Sequence, residues 1–305
     1  MKDRVEQVLK KFSSQCDYLE VHIEETEESR VGFTGPQLTD LGKKVDFGGN
    51  VRALNNGGWG FASFNSVDRI EEFAQHAIDQ AKLTGKDKSQ LAPVDPVRAD
   101  VGLELKSDPR EVPLEKKVEM LRAYNERVLA AHDLIVSSTT RYFDRYHQRW
   151  FGSSEGAMIY QERVDLGGAV AAMAARDGDS QSHWVGYGST DDFGVSMGLE
   201  DQIDESCRIA VEKLDAPKVK GGSYTVVLDP RLAGVFVHEA FGHLSEGDNV
   251  YEDKNLQKVM VLGREFGRPF LNIYDTGLDK GFRGHVVYDD EGVPTEKTYL
   301  ITEGK

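Results

Sequence analysis

Apolar residues recur at helical spacing in the first fifteen residues, where Val5, Val8, Leu9 and Phe12 share one side. The pattern then switches to period two. Leu19, Val21 and Ile23 face one way and Glu20, His22 and Glu24 the other, which predicts a half-buried strand. The acidic run Glu24 to Glu28 reads as the solvated end of that strand. A second alternating stretch, VRALNNGGWGFASF, holds Asn56-Gly57, a pair suited to the positive φ of a tight hairpin turn. Helical spacing returns with Val67, Ile70, Phe73, Ala77, Ile78 and Ala81. Asp68 and Glu71 have capping-box spacing, with Ser66 as a competing cap, and Thr84-Gly85 ends the helix.

From residue 85 to 113 the chain is rich in proline and charge, as a connection would be. A helix is predicted from Leu114 to Ala131, burying Val118, Leu121, Val128 and Leu129. Four separate strands follow: LIVSSTTRYF, HQRWFGSS, AMIYQERV and LGGAVAAMAAR, with Ser154-Glu155-Gly156 as a hairpin connection. Another helix spans about Leu199 to Leu214, and SYTVVLDP reads as a short apolar strand. Asp229 is a good helix cap and Pro230 suits the first helical position of RLAGVFVHEAFGHLSEGD. These blocks predict a multi-domain α+β chain with mixed or antiparallel sheets, packed helices and the chemistry-bearing helix in the last region. The expected divisions are 1–95, a linker at 96–113, 114–217 and 218–305.

The 305 residues are 39% apolar and 29% charged, enough for packed cores and against a disordered chain. A formal net charge of -15 argues against a nucleic-acid partner. No apolar run is long enough for a membrane span, and MKDRVEQVLKKF lacks the apolar core of a secretory signal. Cys16 and Cys207 form no metal or disulfide framework and read as small, partly buried side chains. A cytoplasmic location is expected.

The candidate chemistry lies in HEAFGH: His238, Glu239 and His243. Histidines at i and i+4 stand about 40° apart on an ideal helix, whereas i and i+5 stand about 140° apart. Two such imidazoles reach one ion only if the helix kinks, widens or ends between them, and Gly242 makes a distortion cheap. The helix is otherwise apolar (Leu232, Val235, Phe236, Val237), so the histidines are expected to be buried and to need partners. Imidazoles at 238 and 243 suit zinc, and Glu239 suits a general base acting on a water whose pKa zinc lowers toward about 7. The same string also arises as ordinary core or surface residues.

Elsewhere the bland readings win. Asp289, Asp290 and Glu291 predict a turn, and Asp191-Asp192 a loop. His183-Trp184 and Arg149-Trp150 predict packing or cation–π contact. The glycine pairs at 48–49, 57–58 and 167–168 lack phosphate-loop spacing.

VVLDPRLAGVFVHEAFGHLSEGD, with NIYDTG, YDDEGVPTEKTYLI and the earlier RALNNGGWGFAS, resembles the TldD-type subunits of the TldD/PmbA (TldD/TldE) metalloprotease family. The resemblance implies a zinc-dependent peptidase acting on small or unfolded peptides, zinc held by His238 and His243, and Glu239 as catalytic base. It also implies pairing with a TldE/PmbA-like sister subunit. The family's third ligand is a downstream cysteine, and Leu271 stands in that place here; Glu246, Asp248, Asp275 and His285 are the alternatives. Family members are longer, so the chain is expected to lack part of a final domain, with KTYLITEGK one strand and turn of an unfinished hairpin, and to be inactive in that form. A zinc hydrolase of non-peptide amides and a non-catalytic binding or scaffold subunit remain open alternatives.

Overall fold

A computed structural model describes residues 1–87 and 91–305. The described chain forms two compact units, Met1–Ala216 with Lys280–Pro294, and Pro217–Asp279 with Thr295–Lys305.

The first unit is built on one seven-stranded sheet of unusually long strands: β1 (Tyr18–Thr34), β2 (Gln37–Asn55), β3 (Gly58–Phe64), β4 (Arg98–Val101), β5 (Ile135–Ser153), β6 (Met158–Arg176) and β7 (Asp179–Ser189). The order is β3-β2-β1-β5-β6-β4, with β7 also on β6. All pairings are antiparallel except β4 with β6. The Asn56-Gly57 turn has φ of 46° and 79°, which closes the β2–β3 hairpin as the sequence indicates.

Alternation sorts the side chains. Leu19, Val21 and Ile23 of β1 meet Val5, Val8, Leu9 and Phe12 of α1 (Lys2–Phe12) and the apolar stripe of α2 (Ile70–Thr84). Further along β1, Val31 and Phe33 meet Leu121, Tyr124 and Val128 of α3 (Leu114–Ala130), with Ile203, Cys207 and Ala210 of α4 (Glu200–Glu212) in the same core. The odd positions of β1 therefore serve both cores, and the four helices cover one face of the sheet. α2 lies so close that a Cβ at Gly60 would fall 1.8 Å from the Ala77 carbonyl oxygen. Ser66, not Asp68, provides the cap, accepting from the Asp68 N–H at 3.2 Å in the 3₁₀ turn before α2.

The opposite face is polar. Glu24 sits opposite Arg149 and Glu28 opposite Arg145 in the β1–β5 register, and both pairs are bonded, at 3.2 and 2.8 Å. The acidic run is therefore the middle of a strand, not its solvated end. Opposite charges facing each other across a ladder stabilise it, and Glu28 is buried. For a related reason the four predicted strands from 134 to 176 are two: charged residues that resemble breaks are paired. Arg145 takes Glu28, and Asp144 takes Lys117 of α3 at 2.5 Å. Over this face runs the segment 280–294. Arg283 bonds Asp165 at 2.7 Å, Asp290 bonds Arg149 at 3.1 Å and Glu291 bonds Arg52 at 3.3 Å. The predicted turn at Asp289 forms, its carboxylate accepting from the N–H groups of Glu291 and Val293, both at 2.9 Å.

The second unit holds α5 (Pro230–Val237), α6 (Gly247–Glu252), α7 (Lys254–Val259) and the antiparallel strands β8 (Ile273–Thr276) and β9 (Lys297–Ile301) around Phe241, Ile273 and Ile301. The final strand thus has β8 as a partner. The expected strand SYTVVLDP does not form: no described segment pairs with it, its backbone cannot build a ladder alone, and Val227 is fully exposed.

No helix among the described residues is long and apolar enough to cross a membrane. Both cysteines are unpaired, and burial pushes the Cys207 thiol up to about 11, the behaviour of a packing residue. Of the paired readings, Trp150 packs on a ring, while Arg149 is held by ion pairs with Glu24 and Asp290. His183 is 3.1 Å from Ser206 of α4, and Trp150 stacks on Tyr160 with ring centroids 5.2 Å apart.

Two predictions follow from the charges. Lys117 and Asp144 are both buried, so Lys117→Met strands a carboxylate and should lower stability by about 3–5 kcal/mol in urea melts; adding Asp144→Leu should recover most of it. Glu24 is held down to about 2, chiefly by its hydrogen bond with His147; burial pushes the other way, and the charges of Arg149 and His147 add to the lowering. A depressed carboxyl stabilises the fold above its ordinary value of 4.5 and loses that contribution as pH falls toward 2. Its side chain is 41% exposed, so screening reduces the effect. Glu24→Gln should cost about 1 kcal/mol at neutral pH, with the difference from the parent vanishing near pH 2 in a pH series of melts.

Candidate metal centre

Asp229 and Pro230 start the helix that carries the motif. The Asp229 carboxylate accepts from the Leu232 N–H at 2.7 Å, and Pro230 occupies the first turn, where its missing N–H costs nothing. The helix is regular to Val237. From His238 to Gly242 it widens into a π turn, in which the His243 N–H donates to the His238 carbonyl, five residues back. A 3₁₀ turn, His243–Ser245, follows, and the Ser245 hydroxyl donates to the Gly242 carbonyl at 2.9 Å.

The widening answers the angular problem set by the i, i+5 spacing. An α turn stacks residues four apart, and a turn bonded over five residues stacks residues five apart. The two imidazoles accordingly meet, with centroids 4.4 Å apart and planes at 67°. A ring nitrogen from each and a Glu239 carboxylate oxygen all lie within 4.8 Å of one another. Two nitrogens on a tetrahedral zinc, each about 2.1 Å from it, stand about 3.4 Å apart. The side chains are exposed and free to turn, so rotation about their own bonds can bring the donor set around a single divalent ion.

The expectation of buried histidines is not met. His238, Glu239 and His243 are all exposed, as are Leu232, Val235 and Phe236 on the same helix. Only Phe241 of the widened turn enters the core, because the second unit's apolar cluster is small and takes one side of the helix alone.

The candidates for a further ligand are placed as follows. Glu246 accepts from His243 Nδ1 at 2.7 Å, and its other oxygen accepts from Asn249 Nδ2 at 2.8 Å. This hydrogen bond, with the negative charge of Glu246, raises the pKa of His243. It also turns Nε2 toward the site, where it stands 3.8 Å from Glu239. Glu246 therefore orients a candidate ligand rather than joining the cluster. Asp248 accepts from the Asn249 N–H at 2.9 Å, Asp275 lies exposed in β8, and His285 belongs to the 280–294 segment of the first unit. Leu271 packs with Val237 and Phe241 in the apolar cluster. Sequence reasoning missed Asn249, though its place three residues after Glu246 is the kind of spacing that signals a shared turn.

Family models match nearly the whole chain: PmbA/TldA metallopeptidase domain 1 over residues 19–81, the central domain over 107–216 and the C-terminal domain over 221–305. The chain belongs to the TldD/PmbA family. It is 37% identical over 300 residues to a metalloprotease of Synechocystis sp., covering 98% of this chain and 65% of that one. With a metalloprotease of Methanocaldococcus jannaschii the identity is 28%, over 97% of this chain and 66% of that one. A zinc metalloprotease TldD homolog of Saccharolobus solfataricus is 28% identical over 85% of this chain and 57% of its own. The chain thus spans no more than 66% of the length of these relatives. The fold is that of a protein from Bacteroides thetaiotaomicron described as a modulator of DNA gyrase (TM-score 0.81, 19% identity, 99% of this chain and 70% of that one). TldE from Thermococcus kodakarensis shares it at a TM-score of 0.68 and 15% identity, over 99% of this chain and 68% of that one.

If Glu246 fixes the His243 tautomer, Glu246→Ala should weaken metal binding by about 10- to 100-fold in a chelator competition, and Glu246→Gln, which keeps an acceptor, by less.

Proposed function

We propose that this chain is the zinc-binding subunit of a peptidase that hydrolyses small or unfolded peptides. The observation that carries the reading is the His243 to His238 backbone bond, which turns a spacing unfit for a straight helix into a convergent donor set. Family membership supports it, as does the name of the Saccharolobus relative for the choice of zinc.

His238 and His243 would hold the metal through neutral imidazole nitrogens. When bound, zinc supplies Lewis-acid chemistry, lowering the pKa of water toward about 7 and stabilising charge on a carbonyl oxygen. Glu239 takes the proton from the attacking water and passes it to the leaving amine. Its exposure leaves it free to do both. Glu246 and Asn249 hold the His243 ring in place. Peptide recognition through main-chain pairing at a strand edge fits a broad preference. We place the protein in the cytoplasm, which two unpaired cysteines favour, and pair it with a TldE/PmbA-like subunit, which the fold shared with TldE favours.

The expected result is about one zinc per chain after reconstitution, with Glu239→Gln retaining metal and losing at least about 100-fold in hydrolysis of unfolded peptides. Undiminished turnover in that variant would remove Glu239 from the mechanism. Failure to take up zinc would leave the binding or scaffold subunit as the better reading, and faster cleavage of small amides than of peptides would leave the amide hydrolase.

A further inference from the structure

The outer edge of β6 is shared by two strands that do not meet. β4 pairs with Met158–Gln161 and β7 with Leu166–Arg176, so Glu162 to Asp165 have no strand partner on that side among the described residues. Beyond its pairing with β4, the chain from 102 to 106 diverges, and the 280–294 segment crosses above. Between them lies a cavity of about 550 Å³, well within the range of small-molecule sites. Val101, Leu103, Leu105, Val164, Val286 and Val287 provide an apolar wall.

The charges around this cavity do not cancel evenly. Lys106 is bonded to Asp191 at 2.9 Å and Lys280 to Glu104 at 2.5 Å. Arg149 has Glu24 and Asp290. Glu162 is engaged by the hydroxyls of Tyr146 and Tyr160, at 2.5 and 2.8 Å. Arg163 differs. It makes no ion pair among the described residues, and its hydrogen bond goes to the neutral carbonyl of Arg283, whose own guanidinium takes Asp165. The Arg163 Nε is buried without an acceptor. Burial lowers the pKa of Arg163 against the pull of Asp165, and the neighbouring Arg149 and Arg283 lower it further. A guanidinium partly withdrawn from water, with its Nε–H buried and unanswered and no ion pair, is a costly arrangement that a bound anion relieves.

We infer that this cavity is a binding site for a small carboxylate with an aliphatic body, the carboxylate pairing with Arg163 and the body lying on Leu103, Leu105 and the valines. The site is lined wholly by residues of the first unit and includes none of the metal-centre residues. The ligand chemistry could come from a free aliphatic acid or from the C-terminus of a peptide ending in an apolar residue.

Titration calorimetry with 4-methylpentanoate and with acetyl-Val-Leu, each against its amide, separates these sources. Binding of either carboxylate with at least tenfold weaker binding of its amide is the expected result, and the preferred member names the source. Arg163→Met should weaken binding at least tenfold, and Leu103→Trp, on a segment outside the helices and strands, should abolish it by filling the cavity. Equal affinity for acid and amide, undiminished binding in folded Arg163→Met or in Leu103→Trp, or no heat with either acid at millimolar concentration would overturn the inference. Should Arg163→Met fail to fold, the acid–amide comparison and Leu103→Trp decide the question.

Discussion

The first unit depends on β1 and β5 staying paired from Glu20 to Thr34. Without that ladder the helices packed on the front half of the sheet and those packed on the back half would have no common floor. A strand this long must cross a stretch, Glu24 to Glu28, that is acidic in every position but one. It does so because β5 brings Arg145, His147 and Arg149 opposite Glu28, Thr26 and Glu24. The charges that make the segment look like a loop in isolation are what hold it in the sheet.

The same sheet explains where the chemistry-bearing side chains are found. One face is given over to helices and their apolar stripes. The other carries ionised groups, and the 280–294 segment crosses it, bringing arginines and acids into partnership across more than a hundred residues. Such a surface neutralises itself nearly everywhere. Arg163, which makes no ion pair among the described residues, lies at the gap between two strands that share one edge, beside the open volume.

In the second unit the working geometry is local. One backbone hydrogen bond, displaced by a residue from its helical position, decides whether two imidazoles point apart or together. That kind of distortion needs little from the rest of the fold, and it occurs where Gly242 offers no side chain to resist it. What surrounds it is thin: a small apolar cluster on one side and exposed Leu232, Val235 and Phe236 on another. The hydrogen bond from His243 to Glu246 replaces, at one of the two rings, the orientation that a buried setting would otherwise impose.

Read alone, the chain determined the elements whose physics is short-ranged. Apolar spacing marked α1 to α4, Asn56-Gly57 marked the hairpin, Asp229-Pro230 marked the start of the motif helix, and the five-residue gap between His238 and His243 required a distorted turn. Only the tertiary structure decided that residues 134–176 make two strands rather than four, because Arg145 and Asp144 find their counter-charges on β1 and α3, distant in sequence. It alone decided that SYTVVLDP is not a strand and that Glu246 accepts a hydrogen bond from His243, since both depend on which group lies alongside. Local pattern reports what one segment favours. Whether a charge is stranded or paired, or a backbone edge bare or covered, is settled by neighbours that the linear order does not reveal.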